Sequence, residues 1–110
     1  MAHMRLAAYQ DGMNDPVALL TALAEPTRLA TLRIPWDGGE HCACELTTKL
    51  GASQSRMSRR MSALKAVGLV ADHRDAKWVR YRLGTDLPTH AQAILDAVMA
   101  AVPEPARRAA

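Results

Sequence analysis

The chain has 110 residues, 49% of them hydrophobic but only 4% aromatic and none Phe, with a formal net charge of +3. That length allows one domain around one small core, and a Leu, Ala, Val and Met composition favours packed helices over a β-sandwich. No apolar run approaches the roughly 20 residues of a membrane span and the N-terminus has no signal-peptide pattern, so a cytoplasmic protein is expected.

Residues 1–14 show no strong period and are expected to form a flexible arm or tag remnant, ahead of one domain over 15–102 and a tail over 103–110. Asn14-Asp15-Pro16 offers a cap followed by proline at the first helical position, and Val17, Leu19, Leu20 and Leu23 supply the apolar content of a first helix to about residue 24. Glu25-Pro26-Thr27 repeats the device. The second helix, with Leu29, Leu32 and Ile34 on one face, must end at Pro35. Asp37-Gly38-Gly39 marks a turn.

The only two cysteines, Cys42 and Cys44, stand at the entrance of a third helix running from about Ala43 to Leu50. Gly51 is suited to the left-handed turn that closes it. A fourth helix starts near Ser53 or Ser55 and carries Met57, Met61 and Leu64 inward, which leaves Gln54, Ser55, Ser58, Arg59 and Ser62 outward. Two short helices joined in this way read as a helix-turn-helix. Residues 69–74 and 78–83 have β-type composition, with Asp75-Ala76-Lys77 as a hairpin turn. Gly84 to Pro88 open a last helix whose stripe is Ile94, Leu95, Val98, Met99 and Val102. Apolar faces on the first and last helices of so short a chain imply burial in a helix-to-helix homodimer.

Charge is segregated. Nine Lys and Arg against Asp72 and Asp75 lie between Lys49 and Arg82, a local net of +7, and the remainder carries −4. This is the footprint of a polyanion partner.

Five local signatures appear in order: Leu23-Ala24-Glu25-Pro26-Thr27-Arg28-Leu29; Cys42-x-Cys44-Glu45-Leu46; Ser53-Gln54-Ser55-x-x-Ser58-Arg59; Leu64-x-x-x-Gly68-Leu69-Val70; and Trp78-Val79-x-Tyr81-x-Leu83. Together they resemble the arsenical-resistance repressor (ArsR/SmtB) family of winged-helix metalloregulators over roughly residues 16–102. The resemblance implies a mainly α, α+β winged helix-turn-helix of about five helices with a two-stranded β-hairpin wing, in the order ααααββα. It implies a homodimeric transcriptional repressor of double-stranded operator DNA, not an enzyme, with no membrane partner. Two departures limit the carry-over. Thr47 stands where arsenical repressors often place a third thiol, and Asp86, His90 and Asp96 do not match the spacing of a last-helix zinc site. Pro35 replaces an aliphatic residue and has no evident function.

For the metal site, Cys42 and Cys44 suit soft, thiol-seeking inducers: trivalent arsenic, as arsenite or methylarsenite, and antimony. At about 100° per residue their sulfurs would lie roughly 200° apart on a regular helix, so joint ligation is expected to unwind the helix entrance and shift the reading helix. The helix N-terminus and His41 are expected to favour thiolates. Third donors considered are His41, Glu40, a partner-chain group and a small thiol. The same pair also fits an oxidant or reactive-sulfur sensor, and, in a different class, a small dithiol redox enzyme, against which stand the missing βαβ pattern and the basic segment. For DNA, Ser53, Gln54, Ser55, Ser58 and Arg59 are candidates at the reading helix, with Arg56, Arg60 and Lys65 nearer phosphates and Arg74, Lys77 and Arg80 on the hairpin. Trp78 and Tyr81 are expected to be hairpin packing.

Overall fold

The computed structural model describes residues 15–104. Helices α1 (Pro16–Leu23) and α2 (Pro26–Arg33) are followed by a 3₁₀ turn (Pro35–Asp37). A short strand β1 (His41–Cys42) leads directly into α3 (Ala43–Leu50). Then come α4 (Gln54–Ala66), the hairpin β2 (Val70–Asp75) and β3 (Trp78–Leu83), and α5 (Thr89–Ala101). The five helices and the hairpin stand where periodicity and caps put them. The expected arm at 1–14 lies outside the described residues, as does most of the tail. No helix among the described residues is long and apolar enough to cross a membrane.

The first two helices are fixed by their caps. Asp15 accepts from the backbone N–H of Val17 and Ala18 at 3.0 and 3.3 Å, and Glu25 accepts from those of Thr27 and Arg28 at 3.2 and 2.9 Å. Such caps contribute about 1 kcal/mol each. Arg28 then reaches back, donating from Nε to the carbonyl of Ala22 at 2.7 Å and from Nη2 to that of Thr21 at 3.2 Å. The Glu-Pro-Thr-Arg signature is thus a corner: it starts α2 and satisfies the open carbonyls that end α1.

Leu19, Leu32, Leu46, Met57, Met61, Leu64, Leu69 and Leu95 are fully buried in one core to which every α-helix contributes. Each contributes about 2 kcal/mol by leaving water. The last helix buries Ala91, Leu95 and Met99 in the core, while Ile94, Val98 and Val102 pack on its margin. Part of its stripe is thus used within the chain, and Ile94, Val98 and Val102 remain only partly buried. Arg33 holds its end, donating from Nε to the Val102 carbonyl at 3.1 Å. Apolar exposure persists on α1, where Val17 is 70% and Leu20 50% exposed.

The sheet departs from expectation by one strand. It is three-stranded and antiparallel in the order β1-β3-β2, with His41 opposite Tyr81 and Cys42 opposite Arg80. Composition could not show β1, because two residues carry no alternation; it exists because β3 presents an edge that the approach to α3 can pair. In the hairpin, Asp75 faces Trp78, so the turn is the two residues Ala76 and Lys77, with Ala76 at φ 58°.

Pro35, which had no evident role, is buried and opens the 3₁₀ turn. It stops α2 and swings the chain so that Trp36 lies against the core and Asp37 points toward His41. A second missed constraint is Gly84, expected only to open the last helix. Its N–H donates to the Leu69 carbonyl at 2.9 Å, and a Cβ there would lie 2.3 Å from the carbonyl oxygen of Gly68. The end of the wing is pressed onto the end of α4 at this point.

Gly84→Ala is therefore expected to lower stability by about 1–3 kcal/mol, the range for forcing volume into a close-packed position. A lower urea midpoint at unchanged m-value would register it, and an unaltered midpoint would refute the close approach.

Candidate cysteine site and nucleic-acid interface

Cys42 belongs to two elements at once. As the second residue of β1 it pairs with Arg80, and as the N-cap of α3, at φ −67° and ψ 144°, it accepts the backbone N–H of Cys44 on its sulfur at 3.4 Å. Only Cys44 lies within helical backbone. The extended cap swings the first sulfur round, and Sγ of Cys42 and Sγ of Cys44 stand 2.7 Å apart. This corrects the helical-wheel expectation of opposed sulfurs: the pair is gathered with α3 intact, and no unwinding is needed to assemble it.

The hydrogen bond between the two sulfurs sets their acidity. The Cys44 thiol donates to Cys42 and holds that group below the usual thiol value, assisted by the N–H groups of Cys44 and Glu45 and by the positive charge of Arg80. The same bond raises Cys44. The unsatisfied N–H groups of the helix start favour negative charge at Cys42. Cys44 is exposed and Cys42 partly so, which leaves the pair open to a reagent.

His41 is engaged away from the sulfurs. Its side chain points to the other face of β1 and is buried, with Nδ1 2.9 Å from Glu45 and Nε2 3.0 Å from Asp37. Lys49 continues the chain at 2.9 Å from Glu45. Burial alone would push the imidazole down, but the two carboxylates outweigh it and raise the net value above 6.5. Asp37 is held low by its bond to His41. Glu45, pushed up by burial, is carried below its ordinary value by Lys49 and His41. The spacing 37, 41, 45, 49 was visible in sequence, but only the 3₁₀ turn brings Asp37 onto that line. Glu40, the other third donor considered, lies 3.4 Å from Nδ1 of His73. Among the described residues no three His, Cys, Asp or Glu gather as a metal site, on α3 or on α5.

The polar face of α4 forms as expected. Ser53 is the N-cap, accepting from the Arg56 N–H at 3.2 Å. Gln54, Ser55, Arg56, Ser58 and Arg59 are exposed, and Arg60 is half-buried. Among the described residues Arg56, Arg59, Arg60 and Arg74 have no carboxylate partner, so their charge is free for an incoming anion. Two other candidates are engaged. Lys65 pairs with Asp72 at 2.9 Å, tying α4 to β2, and Arg80 pairs with Asp75 at 3.2 Å. Tyr81, expected to be hairpin packing, packs against the core. Trp78 does not; it stands 45% exposed at the hairpin tip with Lys77 Nζ 5.4 Å from its ring centroid.

Comparisons with known proteins bear on this geometry. The family model described as "Bacterial regulatory protein, arsR family" matches residues 25–72, the span from the cap of α2 through the cysteine pair and α4 to β2. The chain is 40% identical over 81 residues to the arsenical resistance operon repressor of Escherichia coli K12, covering 74% of this chain and 69% of that one. It is 36% identical over 84 residues to the arsenic resistance transcriptional regulator ArsR1 of Pseudomonas putida, covering 76% and 66%. Among solved structures, reduced HlyU from Vibrio cholerae superposes with a TM-score of 0.68 at 28% identity, covering 86% of this chain and 96% of that one.

The His41 clamp makes stability depend on pH. A folded-state value raised above 6.5 gives a contribution fully present below about pH 6.5 and lost as pH rises through the raised value. The lowered Asp37 and Glu45 give contributions present above their ordinary values of 3.8 and 4.5 and lost on further acidification. Wild-type protein should thus exceed His41→Gln by about 1 kcal/mol near pH 6, and the gap should narrow toward pH 9. Urea unfolding across this range measures it, and a gap independent of pH would show that His41 does not act as a cation.

Proposed function

The chain belongs to the arsR family of bacterial regulatory proteins, transcriptional repressors with a winged helix-turn-helix DNA-binding fold rather than enzymes, and from that premise we propose that it is an arsenic-responsive repressor whose inducer site is Cys42 and Cys44. The observation that carries the proposal is the pair of sulfurs 2.7 Å apart, at the head of the helix that packs on the reading helix. Relatives named for arsenical and arsenic resistance support the same class of inducer.

Two thiols replace two hydroxyls of arsenite: two As–S bonds form, two As–O bonds break, and two waters leave with the thiol protons. One hydroxyl stays on arsenic, or one methyl in methylarsenite, and no third protein sulfur is required. Antimonite fits the same exchange. Cys44 is held by helical backbone and Cys42 by its pairing with β3, so an ion joined to both sulfurs loads the head of α3 and the edge of the wing, and displacement of one or the other is the proposed switch. Either motion alters a DNA-facing element, which replaces helix unwinding as the switch.

On the DNA side, α4 enters the major groove with Ser53, Gln54, Ser55, Ser58 and Arg59 toward base edges, and Arg56, Arg60 and Arg74 neutralise phosphates. Lys65 and Arg80 join them only by leaving Asp72 and Asp75, and Lys77 serves from the wing tip. The exposed Val17 and Leu20 on α1 support a homodimer, which a near-palindromic operator would match. The sulfur contact also favours a second reading: a two-electron oxidant that joins Cys42 to Cys44 as a disulfide, taking two protons with the electrons, would draw the sulfurs together and load the same two elements in the opposite sense.

Cys42→Ser keeps a good N-cap residue, so it should bind operator as wild type does while losing at least tenfold of the release by arsenite. Fluorescence anisotropy on a labelled upstream duplex reads both; loss of DNA binding without arsenite would make Cys42 structural. Release by peroxide and restoration by dithiol, with no response to arsenite, would establish the second reading. Arg59→Ala should weaken operator binding by about 1–3 kcal/mol and unrelated duplex much less. Equal losses would make Arg59 a phosphate contact.

A further inference from the structure

We infer that Trp78 is an apolar DNA contact of the wing, its ring standing on deoxyribose faces while the neighbouring Lys77 takes a phosphate of the same strand. This deepens the DNA-binding reading and rests on it. The observation is a large ring that the fold leaves outside. Trp36, Tyr81 and Leu83 pack against the core, whereas Trp78, at the first position of β3, is 45% exposed. Its position is fixed by a two-residue turn and by pairing with Asp75, so the ring does not hang on a loose loop.

Its surroundings select the partner. Lys77 Nζ lies over the ring, 5.4 Å from the centroid. Arg74 is free of any carboxylate among the described residues, and the tip's acid, Asp75, is neutralised by Arg80. The tip presents cations around one apolar plate. A nucleic-acid strand, in which anionic phosphate alternates with apolar sugar, complements that arrangement on both counts. An acidic protein surface would complement the charges but would need an apolar socket as well. The hairpin is also joined to the reading helix by the Lys65–Asp72 pair and the shared burial of Leu64, Leu69 and Val70. A duplex engaged by α4 therefore has the wing beside it.

The contact has a distinct signature. Removing a phosphate contact lowers the salt dependence of binding, whereas removing an apolar contact lowers affinity and leaves that dependence unchanged.

The test is anisotropy titration of the full chain, reduced and without inducer, on its upstream duplex and on an unrelated duplex over a series of salt concentrations. Trp78→Ala should weaken both about tenfold, with the slope of log K against log salt as in wild type. Trp78→Phe, which keeps a ring, should restore most of the loss. Lys77→Ala should reduce the slope by about one. Wild-type affinity in Trp78→Ala would overturn the contact while leaving the DNA-binding reading intact. A loss in Trp78→Ala accompanied by a change of oligomeric state in sedimentation would overturn it in favour of a contact between copies of this chain. A wild-type protein that bound neither duplex at low salt would remove both readings together.

Discussion

Cys42 answers to two backbones. Its strand pairing with Arg80 fixes it to the wing, and its place as N-cap fixes it to α3. A residue in a sheet and a residue in a helix have incompatible dihedral angles, so the junction must fall between Cys42 and Ala43. That single change of backbone region turns the first sulfur toward the second. The cysteine site, the third strand and the start of the helix-turn-helix are consequences of one local geometry, and none can be altered alone.

The His41 clamp protects this junction from the opposite face. Successive residues of a strand point to opposite sides, so His41 goes inward while Cys42 goes outward. Inward, the imidazole meets Asp37 from the 3₁₀ turn and Glu45 from α3. A buried imidazole between two carboxylates fixes the angle at which β1 enters α3, and its hydrogen bonds to both partners offset its desolvation. The sulfurs therefore sit on a stiff mount.

Positive charge is distributed by use. Where a cation has a structural partner it joins elements: Lys49 to Glu45 within α3, Lys65 to Asp72 between α4 and β2, Arg80 to Asp75 within the wing. The cations without such partners cluster on α4 and β2, the surfaces that face a duplex in the winged-helix arrangement. An anion approaching there meets charge that costs no internal ion pair to engage. Exposed pairs are worth little individually, so those on the wing can be exchanged for phosphates without loss of the fold.

The sequence alone determined the helices, their caps and the polar face of α4, because these depend on residues within one or two turns of each other. Asp15, Glu25, Pro26 and Ser53 act on N–H groups two or three residues away, and Met57, Met61 and Leu64 follow the helical period. It also set the two cysteines at the head of the third helix and linked the family signatures in order. Tertiary structure decided what those cysteines are to each other: a helical reading placed their sulfurs on opposite sides, and pairing with a strand some forty residues away brought them together. The His41 clamp joins residues only four apart, but the 3₁₀ turn that brings Asp37 to His41 was not legible, and the engagement of Lys65 and Arg80 and the pressure of Gly84 on Gly68 were hidden in the same way. Each of these joins residues from different elements, and only the folded chain puts such elements side by side.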